Sequence, residues 1–170
     1  MLFRAGVFAH RRAVTIVELV IVVMILGILA AVATPTFYES LLYHRVESAA
    51  RRVKADLELA RSTARLKSTT QTLTFTGHRY TLGASVTGFD DPTNQYIVNL
   101  GEPPYEIKTV TVNFDGAQSV AFDGHGIPSA GGDVTLTCDG HRAKISLNAA
   151  TGEVTISSTH LRGGGLPADN

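Results

Sequence analysis

Val14-Thr-Ile-Val-Glu18-Leu-Val-Ile-Val-Val-Met24-Ile-Leu-Gly27-Ile-Leu-Ala-Ala-Val-Ala33 decides how the rest of this chain is read. The run holds a single charge, Glu18. At about 1.5 Å per residue, a helix of this length matches the roughly 30 Å hydrocarbon core of a bilayer. A membrane-inserted segment is therefore expected over 14–34. Ahead of it, Met1 to Ala13 carries Arg4, Arg11 and Arg12 and no acidic residue, the bias that keeps a short leader cytoplasmic. Residues 36–170 then belong on the opposite side of the membrane.

Glu18 is the odd residue in the run, because an unpaired charge in hydrocarbon costs roughly 2.5 to 3.5 kcal/mol on insertion scales. Two explanations stand open. Near a helix N-terminus the dipole and the headgroups favour an anion; alternatively, something pairs with it. Two processing routes also compete with an uncleaved anchor. Ala31-Val32-Ala33 has the small-residue form of a secretory cleavage site. The apolar region is longer than a signal core of 7 to 15 residues, however, and a signal core carries no carboxylate.

The order Ala13-Val14-Thr15-Ile16-Val17-Glu18, then the apolar run, then Pro35, resembles the N-terminus of type IV pilins and type II secretion pseudopilins. That resemblance implies cleavage by a prepilin peptidase between Ala13 and Val14, and N-methylation of the new terminus at Val14. It places Glu18 fifth and Pro35 twenty-second in the mature chain, the spacings the family shows. This chain has Ala13 and Val14 where the family has Gly and usually Phe. Filament assembly would then use Val14 and Glu18: the α-amine of an incoming subunit pairs with the carboxylate of a neighbour, and two charges costly alone become tolerable together. Pro35 removes a helix hydrogen bond and clashes with the carbonyl four residues earlier, so it either kinks the helix or ends it; the resemblance implies a kink. The partners it implies are other pilins or pseudopilins, the peptidase and an inner-membrane assembly platform.

Beyond Pro35, Leu42, Val46, Ala49, Val53, Leu57, Ala60 and Ala64 recur at steps of three and four, one stripe of an amphipathic helix reaching Ser68. The other faces carry Arg45, Glu47, Arg51, Arg52, Lys54, Asp56, Glu58, Arg61, Arg65 and Lys67 and are expected to be solvated. From Val14 to Ser68 the two stretches could form one helix of roughly 80 Å. After Ser68 the period changes to two. Strands are expected at 70–76, 79–82, 96–100, 107–114, 119–122, 134–138, 143–147 and 154–157. Asp115-Gly116, Asp139-Gly140 and similar turn pairs separate them, the mark of an antiparallel domain.

The divisions expected are a cleaved cytoplasmic leader (1–13), a transmembrane and assembly helix (14–34), an amphipathic helix (35–68), an antiparallel β domain (69–161) and a flexible tail (162–170). The fold class is α+β and pilin-like, a long N-terminal helix packed on a C-terminal β domain. Val120-Ala-Phe-Asp-Gly-His-Gly-Ile-Pro-Ser129, Gly132-Asp-Val-Thr-Leu-Thr137, Arg142-Ala-Lys-Ile-Ser-Leu147 and Thr151-Gly-Glu-Val-Thr-Ile156 resemble the C-terminal domain of the GspH/FimT minor pseudopilins. The turn-rich stretch 83–104 is placed outside that likeness.

Loss of the leader would leave 12 basic against 15 acidic residues, a balance that argues against nucleic acid as a partner. Cys138 is the only cysteine and is expected to be a buried strand residue, so no intrachain disulfide forms. The six histidines show no metal-binding spacing, and no phosphate loop, dinucleotide fingerprint or nucleophile elbow is present. No metal, no cofactor and no catalytic residues are assigned. The reading is a non-enzymatic minor pseudopilin of a type II secretion pseudopilus, in the inner membrane with its C-terminal domain periplasmic. Its rivals are a minor pilin of a type IV pilus serving adhesion, motility or DNA uptake, and an anchored or secreted β domain with no filament role.

Overall fold

A computed structural model of the chain describes residues 15–83 and 95–160, the side chains of 32–37 and 160 excepted. Helix α1 runs Ile16–Lys67 and is followed by β1 (Gln71–Thr76), β2 (Arg79–Leu82), β3 (Ile97–Asn99), β4 (Thr109–Asn113), β5 (Ser119–Phe122), β6 (Gly132–Cys138), β7 (His141–Leu147) and β8 (Val154–His160). The helical assignment is unbroken across Pro35. Contacts divide the chain into two compact units, one ending at Glu39 and one beginning at Ser40.

In the first unit, Thr15 caps the start of α1. Thr15 is the N-cap: its Oγ1 accepts the Glu18 backbone N–H at 3.2 Å, and its carbonyl accepts from Leu19 at 3.1 Å. Glu18 stands at the third helical position, where a capping box places a carboxylate. From there the apolar side chains Ile16 to Leu29 are exposed, Ile16 at 82% and Met24 at 66%. Among the described residues no helix is long and apolar enough to cross a membrane. The transmembrane span expected at 14–34 is thus not found among the described residues, which include an exposed apolar helix from Ile16 to Leu29.

The second unit is two four-stranded antiparallel sheets, ordered β3-β2-β1-β5 and β4-β6-β7-β8, over the helix from Ser40 on. Every stripe residue expected to face inward does so: Leu42, Val46, Ala49, Val53, Leu57, Ala60 and Ala64 are buried. Alanine at 49, 50, 60 and 64 keeps the helix surface low enough for Leu73, Tyr80, Phe114, Leu136 and Ile145 to join the same core. Strand residues alternate as the pleat requires, with Val134, Leu136 and Cys138 inward and Thr135 and Thr137 less buried between them. Cys138 is buried as expected, its Sγ donating to the Glu106 carbonyl at 3.6 Å. Burial, then the neighbouring Asp139 carboxylate, pushes its thiol pKa up, which keeps it an unreactive core group.

The Asp-Gly turns act as read. Asp139 and Gly140 have φ of 41° and 83°, and Asp115 and Gly116 have 52° and 86°. Two consecutive positive φ angles make the primed turn whose twist matches paired strands, here joining Cys138 to His141 and Phe114 to Ala117. Helix α1 ends in a Schellman motif. Thr69 N–H donates to the Ala64 carbonyl at 3.2 Å and Ser68 N–H to that of Arg65 at 3.4 Å, with Ser68 at φ 49° in the left-handed region that glycine usually occupies. At Gly132 only a hydrogen fits, since a Cβ there would lie 2.1 Å from the Asn113 carbonyl oxygen.

Candidate assembly interface

Of the residues expected to carry assembly, Glu18 is described and exposed on the first turn of α1, its backbone N–H held by Thr15. Ala13 and Val14 lie outside the described residues, as does the side chain of Pro35. Around Glu18 the helix presents Ile16, Val17, Leu19, Val20, Ile21 and Val22, with exposures from 82% to 49%. Apolar surface on this scale is not left in water. Each such side chain stabilises its buried state by about 1.5 to 3 kcal/mol when covered, so lipid or protein must cover it.

The second unit is fastened internally, and its main device was not legible in the sequence. Asp56, expected on the solvated face, is buried beneath the sheet and binds three partners. Tyr80 donates to its Oδ2 at 2.5 Å, Tyr96 to its Oδ1 at 2.8 Å, and Arg52 Nε to Oδ2 at 3.1 Å. Arg52 also donates to the Tyr96 hydroxyl and lies over the Tyr96 ring, 5.7 Å from its centre. A carboxylate taken out of water is tolerated when its lone pairs are filled in this way. The network ties α1 to β2 and to the residue preceding β3.

Its electrostatics have a direct consequence. Burial, then the hydrogen bond and charge of Asp56, pushes the Tyr96 hydroxyl up to about 12, and burial followed by Asp56 raises Tyr80 further still. Burial opposes the charge on Arg52, yet Asp56 and Tyr96 together leave its guanidinium held more firmly protonated than usual. Both tyrosines thus hold their protons more tightly folded than unfolded. The stability they confer is fully present below the ordinary tyrosine value near 10 and is lost as pH rises toward the folded value of about 12. Phenolate absorbance followed through an alkaline titration should show two of the tyrosines ionising late and together with loss of helix signal, while exposed tyrosines titrate near pH 10.

At the C-terminal end of α1, Arg61 Nε and Nη2 donate to the carbonyls of Gly126 at 3.2 Å and Thr151 at 2.6 Å, and Arg65 Nε to that of His125 at 2.9 Å. These arginines hold two turns of the β region against the helix. The first of these turns is set by Asp123, whose Oδ1 accepts the N–H groups of Ile127 at 2.8 Å and His125 at 3.0 Å; the same bonds, Ile127 first, lower its pKa. Toward the other end, Arg45 pairs with Glu106, and Lys108 with Asp139 at 2.5 Å. Among the described residues no cluster of His, Cys, Asp or Glu could hold a metal.

An apolar helix start leading into a helix laid under antiparallel sheets, fixed by buried polar and main-chain clamps, defines a pilin-like subunit. The family model for type II transport protein GspH matches residues 49–157, well over half of the chain, and the chain belongs to that family. The matched range brackets 83–104, the stretch expected to fall outside the likeness. It begins within α1, so the apolar start of the helix lies outside it. Comparison with curated proteins and with solved structures gave no match.

Proposed function

We propose that the chain is a minor pseudopilin that joins a type II secretion pseudopilus through the apolar start of α1 and supports protein export as a structural, non-enzymatic subunit. The exposed apolar helix surface from Ile16 to Leu29, beside a carboxylate at Glu18, carries this reading. Before assembly the segment 14–34 spans the inner membrane, with the domain from 35 onward periplasmic. Cleavage by prepilin peptidase between Ala13 and Val14 frees an α-amine at Val14, which is then methylated. In the filament that amine pairs with Glu18 of a neighbour, and Pro35 kinks the helix between its assembly half and the domain. Its partners are other pseudopilins and the inner-membrane platform.

The test is the N-terminal residue and intact mass of the mature protein from its native membrane. A chain beginning at Val14 with one added methyl is the expected result. A start at Thr34 would make the chain a conventionally secreted domain. An intact Met1 would leave a plain membrane anchor, and either of these outcomes removes the filament reading.

A further inference from the structure

The four sheet edges are not alike. β3 is three residues long. The outer side of β5 is covered by 128–129: Phe122 bridges to Pro128, Ser129 N–H donates to the Ala121 carbonyl at 2.7 Å, and Ala121 N–H donates to Ser129 Oγ at 3.1 Å. β4 has five residues, follows Lys108 and turns through Phe114 into β5. β8 is seven residues long and matches β7 residue for residue without a bulge. It carries no charge and no proline, and among the described residues nothing pairs with its far side. Long, uncharged, unbulged edges are what soluble proteins avoid unless another strand is meant to pair there.

The face beside this edge says what the strand should carry. Register places Thr109, Thr137, Arg142 and Thr159 in one outward row, and Thr111, Thr135, Lys144 and Ser157 in the next. Lys144 is matched by Asp133, Nζ to Oδ2 2.9 Å. Burial opposes ionisation of Asp133, yet the Ser146 hydroxyl and then Lys144 together lower its pKa. Arg142 is exposed and has no ion pair among the described residues. A strand added beyond β8 would set a residue opposite Thr159 about 9.6 Å from Arg142, two strand spacings away. Across a threonine, that gap is within the combined reach of an arginine and a glutamate side chain.

We infer that β8 is a strand-acceptor edge, paired in the filament by an extended segment of a neighbouring subunit that carries an acidic side chain toward Arg142. Main-chain bonds along β8 supply affinity, and Arg142 supplies register and choice of partner. This rests on the pseudopilin reading, and it names the surface through which that subunit docks.

The experiment is amide hydrogen exchange on the chain with its N-terminal helix intact, compared between its unassembled membrane-held form and the sheared filament fraction, for wild type and Arg142→Glu. The expected result is at least tenfold slower exchange across β8 on assembly, a gain that Arg142→Glu abolishes while β1 and β6 exchange as in wild type. Unchanged exchange in a chain present in the filament fraction overturns this inference alone. Protection of β8 already complete before assembly does the same, since the chain itself then covers the edge. A gain that survives Arg142→Glu overturns the acidic partner. A wild-type chain absent from the filament fraction overturns both readings.

Discussion

Asp56→Ala is expected to destabilise the domain that begins at Ser40 by about 3 to 5 kcal/mol, the usual effect of removing one partner from a buried charged pair. The loss has three parts. The Tyr80 hydroxyl, fully buried, is left without its acceptor, as is that of Tyr96. Arg52 loses the carboxylate that keeps its guanidinium over the Tyr96 ring. The helix also loses its polar registration against β2. Against a total stability of roughly 5 to 15 kcal/mol for a typical domain, this is a large fraction. Tyr80→Phe removes one donor and leaves Asp56 two partners, so about 1 to 3 kcal/mol is expected. Urea midpoints for the three proteins decide the matter. Equal losses for both variants would mean that the network acts through the Tyr80–Asp56 bond alone, since Tyr80→Phe keeps the ring and removes only that hydroxyl.

Asp56 also marks where sequence reasoning stopped. A charged residue on a helix with charged neighbours is solvated by default, and its two hydroxyl partners lie 24 and 40 residues away. The signal that could have found it was positional. Asp56 follows Val53 by three and precedes Ala60 by four, so the period that correctly buried its neighbours ran through it. The stripe itself was legible because a 3.6-residue repeat leaves no choice of face, and the β region because Asp-Gly pairs force positive φ at fixed points. The end of α1 was legible only as a change of period. Its Schellman cap uses Ser68 rather than glycine, so no residue announced it. The long-range clamps of Arg61 and Arg65 on the turn carbonyls were invisible for a related reason: carbonyl acceptors belong to every residue type and leave no pattern in a sequence.

The second large effect concerns Glu18. Glu18→Ala should leave the folding of the second unit unchanged, since the residue lies outside it, and should reduce filament incorporation on the order of a hundredfold or more. The reasoning follows from the charge left behind. In the proposed filament the α-amine of one mature chain is neutralised by Glu18 of its neighbour; without the carboxylate an ammonium enters an apolar interface alone, at about 3 to 5 kcal/mol, and each 1.4 kcal/mol is a tenfold change in occupancy. Glu18 also stands at the third helical position after the Thr15 cap, where a carboxylate can act as part of a capping box, and loss of a cap costs only about 1 kcal/mol. The two roles separate in Glu18→Gln, which keeps a capping side chain and removes the charge. If pairing governs assembly, Gln should incorporate as poorly as Ala in the sheared filament fraction. If the residue matters only as a cap, Gln should incorporate like wild type and Thr15→Ala should fail as Glu18→Ala does, a pattern that would sink the charge-pairing account.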